Sequence, residues 1–205
     1  MFNWVPNLLP SYQEHDNAHV GTGECNILIG QSALNEAKFR DNNLSNFQKV
    51  LDFNTQFGVV QNKTLTPNPT IFDTDPQKVE FCLKLIREEA KETEEAVKNK
   101  DFVETVDGLV DQLYVIYGML ARIGVDADKV FDLVHENNMS KLCKTEEEAQ
   151  RTVNHYVDNA STLGYDSPCY RKAPDDIHWV VYNSSTNKIL KSIEWKPVDL
   201  TPILS

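Results

Sequence analysis

The chain has 205 residues, 40% of them hydrophobic, with 31 Asp and Glu against 20 Lys and Arg and a formal net charge of −11. That length supports one sizeable core with room for a small appendage. The negative balance excludes a nucleic-acid groove or an anionic membrane surface as partner, since both need a basic patch to replace counterions, whereas metal cations are attracted.

Residues 1–42 mix proline, glycine and polar residues without a sustained period, so an irregular arm is expected there, with one short helix near Ser32 to Phe39. The "GTG" at Gly21 to Gly23 lacks the following Gly-Lys-Ser/Thr of a phosphate loop and reads as a turn. Leu44, Phe47, Val50, Leu51 and Phe57 fall at helical spacings and give a first helix, followed by the proline-bearing loop "LTPNPTIFDTDP". Asp75 as N-cap and Pro76 at the first helical position open a second helix that runs to about Asn99. Asp101 caps a third, which continues to about Ile123, where Gly124 suits the left-handed C-terminal position. Asp126 opens a fourth, ending near Leu142 or Lys144, and an acidic helical continuation is expected from Glu146 to Tyr156.

Short joins make successive helices antiparallel. The expected fold is therefore mainly α: a four-helix bundle over residues 43–156, preceded by the irregular arm and followed by a C-terminal extension, residues 157–205. In that extension "IHWVVYNSSTNKILKSIEW" predicts a β-hairpin of Ile177–Asn183 with Lys188–Trp195, which must lie against the bundle or a partner subunit, because an isolated hairpin is marginal in water. No segment approaches the roughly 20 apolar residues of a membrane span. The N-terminus carries neither a basic region nor a long apolar stretch, so a soluble, cytoplasmic protein is expected. Cys25, Cys82, Cys143 and Cys169 show no close pairing, which fits thiols in a reducing compartment better than a disulfide framework.

The acidic residues of helices two and three raise the functional question. At 100° per residue, Val79, Leu83, Ile86, Ala90 and Val97 share one arc of helix two and predict its core stripe. Glu89 and Glu92 lie beside that stripe and are expected to be half-buried, while Glu88 and Glu95 point further out. In helix three, Glu104, Asp107 and Asp111 fall in a narrow stripe edged by apolar residues, with no Lys or Arg between Lys100 and Arg122. Burying an unpaired carboxylate is costly. Surface ion pairs with Arg87 and Lys91 account for part of helix two, and a capping box with Asp101 could account for Glu104. Neither reaches Asp107 and Asp111, whereas a divalent cation neutralises several clustered carboxylates at once, and hard oxygen ligands favour Mg²⁺, with Mn²⁺ as an alternative.

Glu88-Glu89-x-x-Glu92 followed by Glu104-x-x-Asp107 resembles the metal-binding signature of the all-α nucleoside triphosphate pyrophosphohydrolases, the superfamily containing MazG-like proteins, dimeric dUTPases and phosphoribosyl-ATP pyrophosphohydrolases. "VHENNMSKL" is similar to the segment that closes the fourth helix in MazG-like and phosphoribosyl-ATP-pyrophosphohydrolase-like members. The resemblance spans roughly Phe47 to Leu142 and implies an antiparallel MazG-like bundle. It further implies Glu89, Glu92, Glu104 and Asp107 as metal ligands, Glu88 as a ligand or the base that orients water, and Asn138 and Lys141 as phosphate contacts. A nucleoside triphosphate would be repelled by an acidic cleft unless divalent ions bridged the two. The expected reaction is attack of metal-activated water on the α-phosphorus, releasing pyrophosphate and a nucleoside monophosphate.

Two other classes share some of these features. A di-iron four-helix protein also buries carboxylates on facing helices, and Asp132-x-x-His135 imitates half of its ligand pattern, although the second histidine motif is missing. A non-catalytic acidic binding module would need no metal at all. For the nucleobase, Gln48, Asn54 and Phe57 of helix one are the candidates. The hydrophobic circumference of helix three is too wide for one bundle to cover, so a homodimer, or a tetramer, is expected.

Overall fold

The structure, a computed structural model, describes residues 43–61 and 63–204; the N-terminal arm, with its expected short helix and glycine turn, lies outside the described residues. Residues 44–205 form one compact unit. Its first helix, α1, spans Asn46–Gln56 and opens on a capping box in which Ser45 accepts from the Gln48 amide while the Gln48 side chain accepts from the Ser45 amide. The short α2, Ile71–Thr74, ends the proline-bearing loop. Asp75 then accepts from the Lys78 amide and starts α3, Pro76–Asn99. Asp101 caps α4, Phe102–Arg122, and Asp126 caps α5, Ala127–Met139. These starts fall where the capping residues place them, because a side-chain acceptor there satisfies amides that have no intrahelical partner. The fourth helix is shorter than expected, with Ser140 as its C-cap.

Gly124 has φ 78°, and an added Cβ would lie 1.9 Å from the Thr66 carbonyl oxygen. No other residue fits this corner, where the proline-bearing loop crosses the end of α4 and the Asn68 amide donates to the Ile123 carbonyl at 3.0 Å. That loop helps close the main helical core, formed by Phe47, Leu51, Ala121 and Ala127 with Tyr117 and Leu120 packed against them.

The expected core stripe of α3 is displaced by one residue around the helix. Cys82, Glu89, Thr93 and Ala96 are its buried positions, whereas Val97 is 57% exposed. The partner surface on α4 explains the rotation: it presents Gly108, Asp111 and Gln112 to α3, a small and polar surface that takes Glu89 and Thr93 rather than the bulkier stripe. On its other side α4 leaves Phe102, Val106, Leu109, Leu113 and Ile116 exposed, a seam of three- and four-residue steps. Helix α5 joins the core only at its start, through Ala127, so the bundle in a single chain is open along that seam.

After α5 the chain builds a second core. Helix α6, Glu146–Asp158, and the short α7, Ala160–Leu163, precede β1, Pro168–Lys172, β2, Trp179–Asn183, and β3, Lys188–Ile189. The sheet is antiparallel in the order β1-β2-β3. The expected hairpin is present as β2 and β3, but its second strand is only two residues long, and β1 adds a partner along the whole of β2 in the register Pro168 to Asn183 through Lys172 to Trp179. Cys143, Ala149, Val181 and Leu190 are almost completely buried between α6 and the sheet. A final short helix, α8, spans Thr201–Leu204. Cys82, Cys143 and Cys169 are free thiols. No helix among the described residues is long and apolar enough to cross a membrane.

Candidate metal and nucleotide site

The close approach of α3 and α4 sets the site. At Gly108 an added Cβ would lie 2.5 Å from the Thr93 hydroxyl and 3.3 Å from its Cα. The Thr93 hydroxyl donates to the Glu89 carbonyl at 2.9 Å and accepts from Gln112 Nε2 at 2.7 Å. The two helices are thus tied one turn from Glu89 on α3 and one residue from Asp107 and Asp111 on α4.

Glu89 is only 9% exposed. Burial first, and then repulsion from Glu92, Asp111, Glu88 and Asp107, holds its carboxyl above the usual carboxylate range. Asp111 is raised in the same way, by burial and then by Asp107 and Glu92. The ion pairs of α3 lie on its outer face: Arg87 with Glu80 at 2.8 Å, Lys84 with Glu88 at 3.5 Å and Lys91 with Glu95 at 3.7 Å. Surface pairing therefore explains Glu95 and part of Glu88, and among the described residues no Lys or Arg pairs with Glu89 or Glu92.

Glu92, Glu104 and Asp107 are exposed, so the half-burial expected of Glu92 is not found. The displaced stripe is the reason, since it turns Glu89 inward and leaves Glu92 at the rim. Glu104 is also free of the capping box. Asp101 accepts from the amides of Val103 and Glu104, but its own amide donates to the Ala96 carbonyl at 3.0 Å rather than to Glu104. Together with Asp107, Glu104 lines a groove whose other walls are Phe102, Val103, Val106 and Val110.

The donor set has the chemistry a hard divalent cation requires: carboxylate oxygens only, in excess charge, with Glu89 and the neighbouring Asp111 both held above the usual carboxylate range. Among the described residues, however, no three His, Cys, Asp or Glu side chains converge closely enough to hold an ion as they stand. Neither raised carboxyl is traced to Glu104. Glu92, Glu104 and Asp107 are exposed, so the set matches such an ion in charge and donor type but is not closed into a site.

At the far end of α5, Lys141 Nζ donates to Asn138 Oδ1 at 2.6 Å, so the two expected phosphate contacts form a pair. Of the nucleobase candidates, Gln48 is engaged in the α1 cap, Asn54 is buried and donates to the Val50 carbonyl at 2.8 Å, and Phe57 is 61% exposed and stacks on Phe53 at 4.3 Å. Asp132 and His135 are both exposed on α5. Three residues of structural consequence were not singled out from sequence: Thr93, Gln112 and Gly108. Their signal was available, since Gly108 follows Asp107 directly and Thr93 lies i+4 from Glu89.

Residues 52–138 match the family model of phosphoribosyl-ATP pyrophosphohydrolase. The chain is also similar to an uncharacterized protein of Acanthamoeba polyphaga mimivirus, with 28% identity over 246 aligned positions that cover 78% of this chain and 96% of the relative. The matched segment contains the α3 and α4 carboxylates and ends at Asn138. Over residues 52–138 the chain is thus similar to the phosphoribosyl-ATP pyrophosphohydrolase family, a member of the MazG-like nucleotide pyrophosphohydrolase superfamily.

Proposed function

We propose that the protein is a Mg²⁺-dependent nucleoside triphosphate diphosphatase, with Mn²⁺ as an alternative ion, that splits a ribo- or deoxyribonucleoside triphosphate into the monophosphate and pyrophosphate. Glu89, Glu92, Glu104 and Asp107 would hold the ion, which when bound supplies Lewis acidity and lowers the pKa of its water. Glu88 would serve as a further ligand or as the base that orients the attacking water, once released from its surface pair with Lys84. The Pα–O–Pβ bond breaks as the new Pα–O bond forms, and Lys141 with Asn138 offsets the charge that develops on the departing pyrophosphate. The observation that carries the reading is Glu89: a carboxylate 9% exposed, with four other carboxylates acting on it, is stabilised when a cation neutralises the group.

The exposed seam of α4 supports a homodimer as the working form. Phe102, Val106, Leu109, Leu113 and Ile116 repeat at coiled-coil spacing, and a second copy laid along them would also roof the groove that holds Glu104 and Asp107. A tetramer would follow from pairing of two such dimers. The test of the activity is a nucleotide panel with and without Mg²⁺, scored for products by chromatography. Monophosphate and pyrophosphate from at least one triphosphate, only with the ion, is expected. Diphosphate and orthophosphate throughout would overturn the assigned bond, and no turnover at all would favour the non-catalytic acidic module.

A further inference from the structure

The last turn of α5 is held from outside at two points, both by the C-terminal part of the chain. Asn137 Nδ2 donates to the Lys196 carbonyl at 2.6 Å, and the Trp195 indole Nε1 donates to the Asn137 carbonyl at 3.1 Å. Beyond the turn, Cys143 and Trp179 exchange two backbone hydrogen bonds, each 2.9 Å, which fastens the chain to the start of β2. Asn138 and Lys141 lie between these two anchors. The last carbonyls of a helix have no intrahelical amide partner and the final turn frays readily; the Asn137 carbonyl accepts locally from Ser140 Oγ at 2.7 Å and also from the Trp195 indole, which ties this helix end to the C-terminal part of the chain.

The outer anchor is itself stiff. Lys191 Nζ sits 3.8 Å from the centre of the Trp195 ring, and the Lys191 carbonyl accepts from the Tyr156 hydroxyl at 3.2 Å. The buried Ser192 donates to the Glu148 carboxylate, and the Ile193 amide donates to the Thr152 hydroxyl at 3.2 Å. Residues 190–195 are therefore clamped to α6, and through Trp195 that clamp reaches the end of α5.

We propose that Asn137 and Trp195 are positioning residues for the phosphate-binding pair: by fixing the end of α5 they present Asn138 and Lys141 to the polyphosphate chain in one prepared geometry. The proposal rests on the reading that Asn138 and Lys141 contact phosphate. It makes the C-terminal sheet part of the binding apparatus rather than an appendage. A loose helix end would have to be ordered at the moment of binding, and that cost falls on affinity. Neither Asn137 nor Trp195 touches the ligand, so their effect must pass through Asn138 and Lys141.

The experiment is a double-mutant cycle on the full-length protein, with inorganic triphosphate and Mg²⁺ as the probe and calorimetry as the readout. Lys141→Ala should weaken binding about tenfold, the loss of one charge-assisted contact. Trp195→Phe keeps an aromatic face for Lys191 and removes the indole N–H together with part of the ring system. It should weaken binding about threefold to tenfold in the wild-type background and less than about twofold in the Lys141→Ala background. Asn137→Ala, at a helical position where alanine is the better helix former, should behave the same way and keeps the test open if Trp195→Phe fails to fold. Equal weakening in both backgrounds would show a general structural effect and overturn the proposal, as would unchanged binding in both single variants while Lys141→Ala is impaired. Unchanged binding in Lys141→Ala would overturn the phosphate reading itself, and the proposal with it.

Discussion

Gly108 lies against Thr93 so closely that a methyl group in place of its hydrogen would sit 2.5 Å from the threonine hydroxyl. Helix propensity alone would make Gly108→Ala stabilising by up to about 1 kcal/mol. The contact reverses the sign. The Thr93 hydroxyl is held by the Glu89 carbonyl and by Gln112, so it cannot turn aside without losing hydrogen bonds, and overpacking costs about 1–3 kcal/mol. Gly108→Ala should lower the melting temperature and spread α3 from α4, with loss of turnover. Adding Thr93→Ala should restore part of both, and a Gly108→Ala protein that melts above wild type would contradict this account of the helix crossing.

How legible this was in the sequence differs from one part to the next. The helix starts were readable because capping chemistry is local: Ser45, Asp75, Asp101 and Asp126 each accept from an amide within three residues. With those starts set, Glu88, Glu89 and Glu92 fall within α3 and Glu104, Asp107 and Asp111 within α4. What periodicity could not supply was the phase of α3, because the face a helix buries is decided by its partner, and α4 offers it Gly108 and Gln112. That one-residue rotation moved Glu92 to the rim, put Glu89 inside, and brought Asp111 into the same electrostatic cluster. Strand β1 was missed because "PCYRK" carries no alternation of its own and is a strand only through its pairing with β2. The tie from Trp195 to Asn137 joins residues 58 positions apart, beyond the reach of any local pattern.

The raised carboxyls give a pH signature to the metal-free protein. Glu89 and Asp111 have ordinary values of 4.5 and 3.8 when unfolded and higher ones when folded. Between the unfolded and folded values the native state binds more protons, so stability from these groups is greatest at low pH and falls as pH rises above 3.8 for Asp111 and above 4.5 for Glu89. Glu89→Gln carries no such penalty. With chelator present, its melting temperature relative to wild type should rise between pH 4.5 and pH 7, read by thermal melts across that range. A constant difference would mean that Glu89 is not charged at the expense of the fold.

Assembly is tested on the seam. Leu109 is 52% exposed in one chain and central among the residues from Phe102 to Ile116. Leu109→Glu would bring a carboxylate into the paired seam of a dimer, at a cost that a surface position does not carry. Light scattering should report a dimer or tetramer for wild type and a monomer for the variant. Wild-type monomer at all accessible concentrations would remove the homodimer.

Glu92 separates metal ligand from ordinary surface acid. It is exposed, pairs with no described cation, and repels Glu89. Glu92→Gln keeps shape and helix propensity and removes one negative charge, so the metal-free variant should melt no lower than wild type. Turnover should nevertheless collapse, because a neutral amide is a poorer ligand for a hard cation. Millimolar Mg²⁺ should raise the wild-type melting temperature and move the variant much less, since an ion stabilises only in proportion to its affinity for the native state. A surface acid predicts something different: a change within about 1 kcal/mol, intact activity and an unaltered response to Mg²⁺. Near-wild-type turnover by Glu92→Gln at saturating Mg²⁺ would take Glu92 out of the site. It would also undo the ligand set as a whole, because Glu92 is the rim carboxylate that must turn toward Glu89 if the exposed Glu104 and Asp107 are to share one ion with it.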